Sequence, residues 1–219
     1  MKALQKWGGF AALYLAVAYL VGIVLFLFVL DYPNIVEPAQ KVALLVDKQM
    51  VIYLTNLLMY VIFGIFLVVL TLALYERLHA SAPAIIRTAT AIGIIWAGAL
   101  IASGMVANAG IAPVVALYET DPAQAALTWL AIETVANGLG GANGEILGGL
   151  WTFLVSWAAW RTGRLPKGLN YLGLLVGTVG IISTISGLQD LAGLFGMGQI
   201  IWFVWVGVIM LRGNSDSTV

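Results

Sequence analysis

Long stretches without charged side chains constrain this chain more than any other feature. No Asp, Glu, Lys or Arg occurs in residues 7–30, 49–75 or 88–118, and each stretch exceeds the ~18 uncharged, apolar residues that indicate a membrane-spanning helix. Charged residues make up 9% of the chain, whereas a water-soluble domain carries roughly 25%. Since so few charges cannot cover a soluble surface, the sequence predicts an integral membrane protein.

The uncharged stretches predict an all-α, polytopic membrane protein that forms a single helical bundle over residues 1–219. The apolar run of the first stretch is longer than the 7–15 residues of a signal-peptide core, so we expect a retained helix. The six predicted transmembrane helices cover about 8–30, 50–75, 88–109, 142–160, 169–188 and 191–211.

Two segments between these spans predict short interfacial helices on the outer side. In residues 31–49, Val42, Leu45 and Val46 recur at helical spacing, which is typical of a helix that lies on the membrane surface. In residues 110–137, Asp121 and Pro122 form a good N-cap and first-turn pair. The helix that they begin is too short to cross before the glycine-rich residues 138–144.

The positions of the basic residues predict the orientation. Eight of the ten Lys and Arg residues fall at the two termini, in the loop between spans 2 and 3, and in the loop between spans 4 and 5. By the positive-inside rule, both termini then lie in the cytoplasm, and the chain is a multi-pass protein of the cytoplasmic membrane. These residues are Lys2, Lys6, Arg77, Arg87, Arg161, Arg164, Lys167 and Arg212.

Several chemistries lack the side chains that they need. The absence of cysteine excludes disulfides and thiolate metal sites, and a single histidine, His79, excludes two-histidine haem ligation and histidine-cluster zinc sites. The GLGGANGEIL stretch at 138–147 lacks the Lys-Ser/Thr pair of a phosphate-binding loop. We therefore expect no cofactor and no bound metal, and the few basic loop residues give no support for nucleic-acid binding.

Glu145 is the leading candidate for a functional residue. The predicted boundaries place it about one turn inside the outer edge of the fourth span, where an ionised carboxylate is costly and often functional. Alternatively, Glu145 extends to the outer interface or bonds a neighbouring helix.

Acidic and amide side chains flank the glycine-rich residues 138–144, and others lie at the same predicted depth in the turn between spans 5 and 6. If the bundle brings that turn near span 4, these side chains form a candidate ligand-binding pocket at the outer face. Carboxylate and amide oxygens suit a hard cation or an amine. The alternative is a solvated outer rim. The candidate residues are Glu133, Asn137, Asn143, Glu145, Gln189 and Asp190.

Small and amide residues inside the spans are typical of helix packing. Gly173 and Gly177 are spaced so that helix backbones can approach closely in lipid. Asn56 in the second span and Gln199 in the sixth are expected to form hydrogen bonds between helices.

Residues 145–173 (EILGGLWTFLVSWAAWRTGRLPKGLNYLG) carry a family resemblance. A membrane-embedded glutamate leads through an aromatic-rich span into R-x-G-R-L-P-x-x-L, and then into an L-G pair that begins the next helix. This segment resembles a bacterial family of six-span integral membrane proteins classed as a domain of unknown function, family 4386. The resemblance implies a polytopic bundle and no particular activity, so no functional residues are carried over.

Three functional hypotheses follow. The leading one is a non-enzymatic bundle that binds lipid or a small hydrophobic or cationic ligand, or assists a membrane partner. The second is a small proton- or cation-coupled transporter that uses Glu145. The third is an enzyme at the outer face with Glu133, Glu145 and Asp190 as acid–base or metal-binding groups. The expected partners are membrane lipids and a second copy of the chain or another membrane protein.

Overall fold

The computed structural model describes residues 2–140 and 145–212, and within them every regular element is a helix. Two π-helical segments continue neighbouring helices, at Leu25–Val29 and Leu57–Ile62, and a 3-10 turn covers Tyr32–Asn34. The α-helices are α1 (Lys2–Val24), α2 (Pro38–Asp47), α3 (Gln49–Asn56), α4 (Phe63–Leu78), α5 (Pro83–Tyr118), α6 (Pro122–Gly140), α7 (Ile146–Thr162), α8 (Lys167–Ile182) and α9 (Leu191–Arg212).

Four helical segments among the described residues are long and apolar enough to cross a membrane. They are Ala3–Val29, Gln49–Leu78, Pro83–Tyr118 and Leu191–Arg212. At 1.5 Å per residue, the ~20 residues that span the hydrocarbon core are present in each. The chain is therefore an all-helical protein of the multi-pass membrane type, and the first, second, third and sixth predicted spans each have a matching helix.

Three predicted boundaries are corrected by the structure. The third span continues past residue 109, because α5 runs unbroken to Tyr118 with Pro113 inside it. A proline removes one backbone hydrogen bond, which a long apolar helix can tolerate near its end. The helix α8, which corresponds to the predicted fifth span, ends at Ile182 instead of residue 188, since turns follow and Gly187 adopts a left-handed backbone with φ of 87°.

The third correction concerns Glu145, which does not lie a turn inside a helix. The helix α7 begins at Ile146, and Glu145 occupies the N-cap position before it. The preceding helix α6 ends at Gly140, in keeping with the low helix propensity of a glycine-rich segment. Residues 141–144, which include the candidate Asn143, lie outside the described residues.

The helices form two compact units, whose boundaries fall within α1, α4 and α5 and at the end of α6. Unit 1 contains Met1–Val17, Gly64–Gly98 and Gly141–Val219, and unit 2 contains Ala18–Phe63 and Ala99–Gly140. That the chain acts as a single domain stays a prediction.

Unit 1 is built on aromatic rings and close backbone contacts. Trp151 and Trp202 are fully buried, with their ring centroids 5.5 Å apart in an edge-to-face arrangement. On α7 and α8, a Cβ atom added at Gly149 would lie 2.8 Å from the carbonyl oxygen of Gly177. A Cβ added at Gly173 would likewise collide with Ser156. The predicted role of Gly173 and Gly177 in close helix packing is confirmed.

Unit 2 has its own apolar core, in which α2 packs against α6. Val42 and Leu45 supply the buried face of α2, and Ala125 and Trp129 supply that of α6. The predicted apolar spacing in α2 is thus confirmed, although its apolar face is buried against protein. Because α2 carries lysine at position 41 beside this face, the packing of α2 on α6 brings a cation to the buried side of α6.

Candidate functional site

The helix α6 begins as the sequence predicts and aligns one acidic side chain with its buried stripe. The Asp121 carboxylate accepts a hydrogen bond from the backbone N–H of Gln124 at 3.0 Å, which confirms Asp121 as the N-cap. From there, Trp129 and Glu133 lie one helical turn apart on the same face, and both are buried. The helical spacing therefore places the Glu133 carboxylate on the buried face of α6, inside unit 2.

Glu133 is paired there with a lysine from α2. The Lys41 Nζ atom lies 2.9 Å from each carboxylate oxygen of Glu133. Glu133 is 8% exposed, so the pair is largely removed from solvent. A buried carboxylate without such a partner would be strongly destabilising, so the ion pair with Lys41 stabilises Glu133 in this position.

Tyr32 and Trp129 complete a hydrogen-bonded chain that ends at the carboxylate. The Tyr32 hydroxyl donates to Glu133 Oε1 at 2.8 Å, and Trp129 Nε1 donates to the Tyr32 hydroxyl at 3.4 Å. Lys41 Nζ also lies 5.0 Å from the centre of the Tyr32 ring, within range of a cation–π interaction. We call these four residues the Glu133 cluster.

The Glu133 cluster also fixes the protonation of Tyr32. Burial, and secondarily the negative charge of Glu133, raise the pKa of the Tyr32 phenol well above its ordinary value of 10.0, although the Trp129 hydrogen bond opposes this shift. The phenol therefore keeps its proton at physiological pH and acts as a hydrogen-bond donor to the carboxylate.

Two further hydrogen bonds join helices of unit 2 near the Glu133 cluster. Asn56 Nδ2 of α3 donates to Asn108 Oδ1 of α5 at 3.0 Å, which confirms the predicted interhelical role of Asn56. The buried Ser103 hydroxyl of α5 donates to the carbonyl of Ala136 on α6 at 2.7 Å. These bonds hold α3, α5 and α6 together around a shared space.

That space is a cavity of about 70 Å³ within unit 2. Aromatic rings, including Tyr32 and Trp129, form part of its wall, while Glu133, Asn56 and Asn137 contribute polar groups. Two of the six predicted site residues, Glu133 and Asn137, are thus brought to one cavity. An aromatic wall beside a carboxylate and amides can accommodate an amine or a small polar molecule.

Glu145 lies in unit 1 and has a different environment. Its backbone N–H donates to the Ser183 hydroxyl at 3.1 Å, and its carbonyl accepts from the Gly149 N–H at 2.7 Å. Among the described residues, its carboxylate has no hydrogen-bond or salt-bridge partner. The main chain at Glu145 is therefore anchored by two hydrogen bonds.

The other predicted site residues also belong to unit 1. The Gln189 Oε1 atom accepts a hydrogen bond from the Gly187 N–H at 2.8 Å, so this side chain stabilises the turn before α9. Asp190 lies exposed in the same turn. No group of three or more His, Asp or Glu residues that could hold a metal ion occurs in the described part of the chain.

The sequence analysis missed three members of the Glu133 cluster: Lys41, Tyr32 and Trp129. One signal for Lys41 was present, because Lys41 and Lys48 are the two basic residues outside the eight that set the predicted orientation, and they therefore fall on the predicted outer side. Since Lys41 and Glu133 are separated by 92 positions, nothing local in the sequence identifies them as partners.

Comparisons with known proteins give a family and no activity. No curated protein and no solved structure matches the chain. A family model described as "Domain of unknown function (DUF4386)" matches residues 12–211, which is nearly the whole chain. This match agrees with the resemblance found in residues 145–173, and the chain belongs to the DUF4386 family of domains of unknown function.

Proposed function

We propose that this protein is a six-span protein of the cytoplasmic membrane that binds a small cationic or hydrogen-bonding molecule in the cavity of unit 2. The observation that carries the proposal is the cavity itself, where the Glu133 carboxylate and two amides stand beside aromatic rings. Binding is favoured over catalysis because the carboxylate is already engaged by Lys41 and Tyr32.

The six-span topology is supported by charge and helix length together. The helices α7 and α8, with 17 and 16 residues, extend about 24–26 Å, which crosses most of the ~30 Å hydrocarbon core. They flank the basic Arg161, Arg164 and Lys167 loop. With both termini in the cytoplasm, the helices α2 and α6 belong to the outer side, and exposed apolar side chains such as Phe28 contact membrane lipids.

Cysteine accessibility tests this topology directly, because the chain contains no cysteine. A membrane-impermeant maleimide added to intact cells should label Asp190→Cys and leave Arg164→Cys unlabelled until the membrane is opened. The reverse pattern would overturn the orientation and with it the outer location of α2 and α6.

The cavity volume limits the size of the ligand. An engineered cavity of about 150 Å³ holds benzene, and the cavity here has about half that volume. A lipid chain does not fit wholly within this volume, whereas an ammonium-sized cation or a small amide does. We therefore favour the small-ligand form of the binding hypothesis over the lipid form.

A cavity-filling variant provides the test of binding. Ala107 lines the cavity and is 9% exposed, so Ala107→Leu should occupy the space. On the same helix, Ala109 is exposed, which makes Ala109→Leu a matched control. The purified protein in nanodiscs is titrated with ammonium, methylammonium, guanidinium, urea and acetamide, and its melting temperature is measured.

At least one of these compounds should stabilise the wild type and Ala109→Leu but not Ala107→Leu. If none stabilises the wild type, or if Ala107→Leu responds equally, binding in this cavity is contradicted.

A second candidate function is cation- or proton-coupled transport through Glu145. It is favoured by the carboxylate at the start of α7, which has no partner among the described residues. In proteoliposomes, Glu145→Gln should abolish cation- or proton-driven flux if the residue carries the coupled charge. Unchanged flux in Glu145→Gln would remove this candidate and leave the cavity in unit 2 unaffected.

A further inference from the structure

We infer that the ligand of the unit 2 cavity is a small primary ammonium compound, which binds by replacing the Lys41 ammonium group on Glu133. This inference rests on the proposed function, and it adds the chemical class of the ligand and the way in which it binds.

The first step of the argument is that the structure already contains an ammonium-binding site with its own lysine as occupant. Both Glu133 oxygens lie 2.9 Å from Lys41 Nζ, and the face of the Tyr32 ring lies 5.0 Å from the same atom. A carboxylate and an aromatic face are the two groups that commonly recognise an alkylammonium ion. The Tyr32 hydroxyl orients the carboxylate by donating to Oε1.

The second step is charge balance. The Lys41–Glu133 pair has no net charge, so a second cation entering the cavity beside it would lose hydration without gaining an unpaired anion. A cation binds favourably only if Lys41 leaves. When an ammonium ligand replaces Lys41, the Glu133 carboxylate remains paired with one cation.

The third step is access from two sides. Glu133 and Tyr32 both line the cavity, so a ligand in it can reach the carboxylate. The Lys41 side chain is 20% exposed, twice the 10% of the Glu133 side chain. Lys41 can therefore turn outward, where its ammonium group is hydrated by water.

The consequence of exchange is a weaker attachment of α2. Lys41 provides the ion pair from α2 to α6, while Val42 and Leu45 provide the apolar contacts. A bound ammonium ligand would leave the apolar contacts in place and remove the ion pair. Ligand binding is thereby coupled to the mobility of the segment Pro38–Asp47.

Chemical rescue tests the exchange. Lys41→Met removes the ammonium group and keeps an unbranched side chain, so the melting temperature of the full-length protein in nanodiscs should fall by roughly 5–15 °C. Millimolar methylammonium should restore roughly half of that loss or more by occupying the vacated position. Lys48→Met is the matched control, because Lys48 forms an exposed pair with its neighbour Asp47 and should change little.

Two comparisons identify the binding group. Tetramethylammonium has the same charge without N–H donors, and it should not rescue Lys41→Met. The double variant Lys41→Met/Glu133→Gln should show no methylammonium rescue. Rescue by tetramethylammonium to the same extent, or rescue that persists in the double variant, would overturn the inference.

A measurement on the wild type covers the case in which Lys41→Met fails to fold. Hydrogen–deuterium exchange of the Pro38–Asp47 peptide should accelerate at least about twofold with methylammonium and remain unchanged with tetramethylammonium. Unchanged exchange with both ions contradicts replacement of Lys41. If urea or acetamide still stabilises the wild type and not Ala107→Leu in that case, the proposed function survives and the ammonium exchange alone is wrong.

Discussion

The two compact units differ in whether their buried polar side chains have hydrogen-bond partners. In unit 2 the buried Glu133 side chain is connected to Lys41 and Tyr32, and Asn56 is connected to Asn108. In unit 1, six buried side-chain polar atoms have no hydrogen-bond partner, and none of the atoms so identified in the described residues lies in unit 2. They belong to Thr71, Trp151, Ser156, Asn170, Gln199 and Trp202.

This difference accompanies a second one: unit 1 is closely packed, whereas unit 2 contains a cavity. In unit 1, the polar atoms without partners lie in a core that contains tryptophan rings. The helix backbones in this unit are so close that Gly149 and Gly177 have no room for a side chain. In unit 2, hydrogen-bonded polar groups surround a cavity. A completely connected polar network is ordered and specific, and isolated polar atoms in a tight core cost stability. The hydrogen-bonded polar groups beside this cavity therefore belong to unit 2.

The largest expected effect comes from leaving one member of the buried ion pair without its partner. Glu133→Leu should lower the free energy of unfolding by about 3 kcal/mol, because Lys41 and the Tyr32 hydroxyl lose their acceptor. Reversible unfolding in mixed micelles measures the loss. Glu119→Leu is the control, since Glu119 is exposed in the turn before α6 and should have little effect.

The double variant Lys41→Met/Glu133→Leu decides whether the loss comes from the unpaired charge. It should recover most of the stability lost in Glu133→Leu, since an apolar pair can replace a buried ion pair at little cost. A double variant as unstable as the sum of both single variants would show that the two side chains act independently, and the contrast between the units would then weaken.

The next effect tests the dependence of unit 1 on backbone packing. A Cβ atom at Gly149 would lie 2.6 Å from the Ile181 nitrogen, so Gly149→Ala must move α7 away from α8 and should cost about 2–3 kcal/mol. Gly98→Ala is the matched control in the same unit, because no atom of the described residues outside its own helix turn lies within 4 Å of its Cβ position. This control should gain roughly 0.5–1 kcal/mol of stability. Equal effects in the two variants would contradict close packing as the organising feature of unit 1.

The sequence was sufficient for features that depend on neighbouring residues. The sixth predicted span, 191–211, differs from α9 (Leu191–Arg212) by one residue, because one uninterrupted apolar run defines it. Asp121 was recognised as an N-cap because capping depends on residues within one turn. Membership of the DUF4386 family, which the segment 145–173 indicated, is also confirmed.

Contacts between residues far apart in the sequence could not be predicted in the same way. Glu133 was identified as a candidate because it is one of the acidic and amide residues that flank the glycine-rich residues 138–144, but its pairing with Lys41 is a property of how α2 packs on α6. The candidates Glu145, Gln189 and Asp190 were grouped by predicted depth alone, and in the structure they belong to unit 1 while Glu133 and Asn137 belong to unit 2. Depth in a membrane does not determine which helices are neighbours.

A smaller effect is expected from removing the Tyr32 hydroxyl from the Glu133 cluster of unit 2. Tyr32→Phe removes the donor to Glu133 and the acceptor for Trp129, and should cost about 1.5 kcal/mol at neutral pH. Since the folded protein raises the pKa of Tyr32 above 10.0, the contribution of this phenol is constant below about pH 10 and falls as pH rises further. The stability difference between wild type and Tyr32→Phe should therefore shrink above about pH 10.

Tyr53→Phe serves as the control for removing a phenol hydroxyl, because Tyr53 is 43% exposed. Its stability at neutral pH should stay close to that of the wild type. A difference between wild type and Tyr32→Phe that stays constant up to pH 11 would show that burial does not favour the protonated phenol.

The smallest effect is expected where unit 1 carries a polar pair that does not complete a network. Thr152 Oγ1 donates to Gln199 Oε1 at 3.1 Å, which confirms the predicted interhelical bond of Gln199, but Gln199 Nε2 has no hydrogen-bond partner among the residues that the structure describes. Removing both polar groups in Thr152→Val/Gln199→Met keeps the shape of the core and removes the unpaired donor. Stability should change by less than about 1 kcal/mol, or rise slightly.

In unit 2, the matched double variant Asn56→Leu/Asn108→Leu also removes a contact with the Tyr53 carbonyl and should cost more. If unit 1 lost more stability than unit 2 in this experiment, its polar atoms would be structural determinants, and the distinction between a packed unit and a site-forming unit would fail.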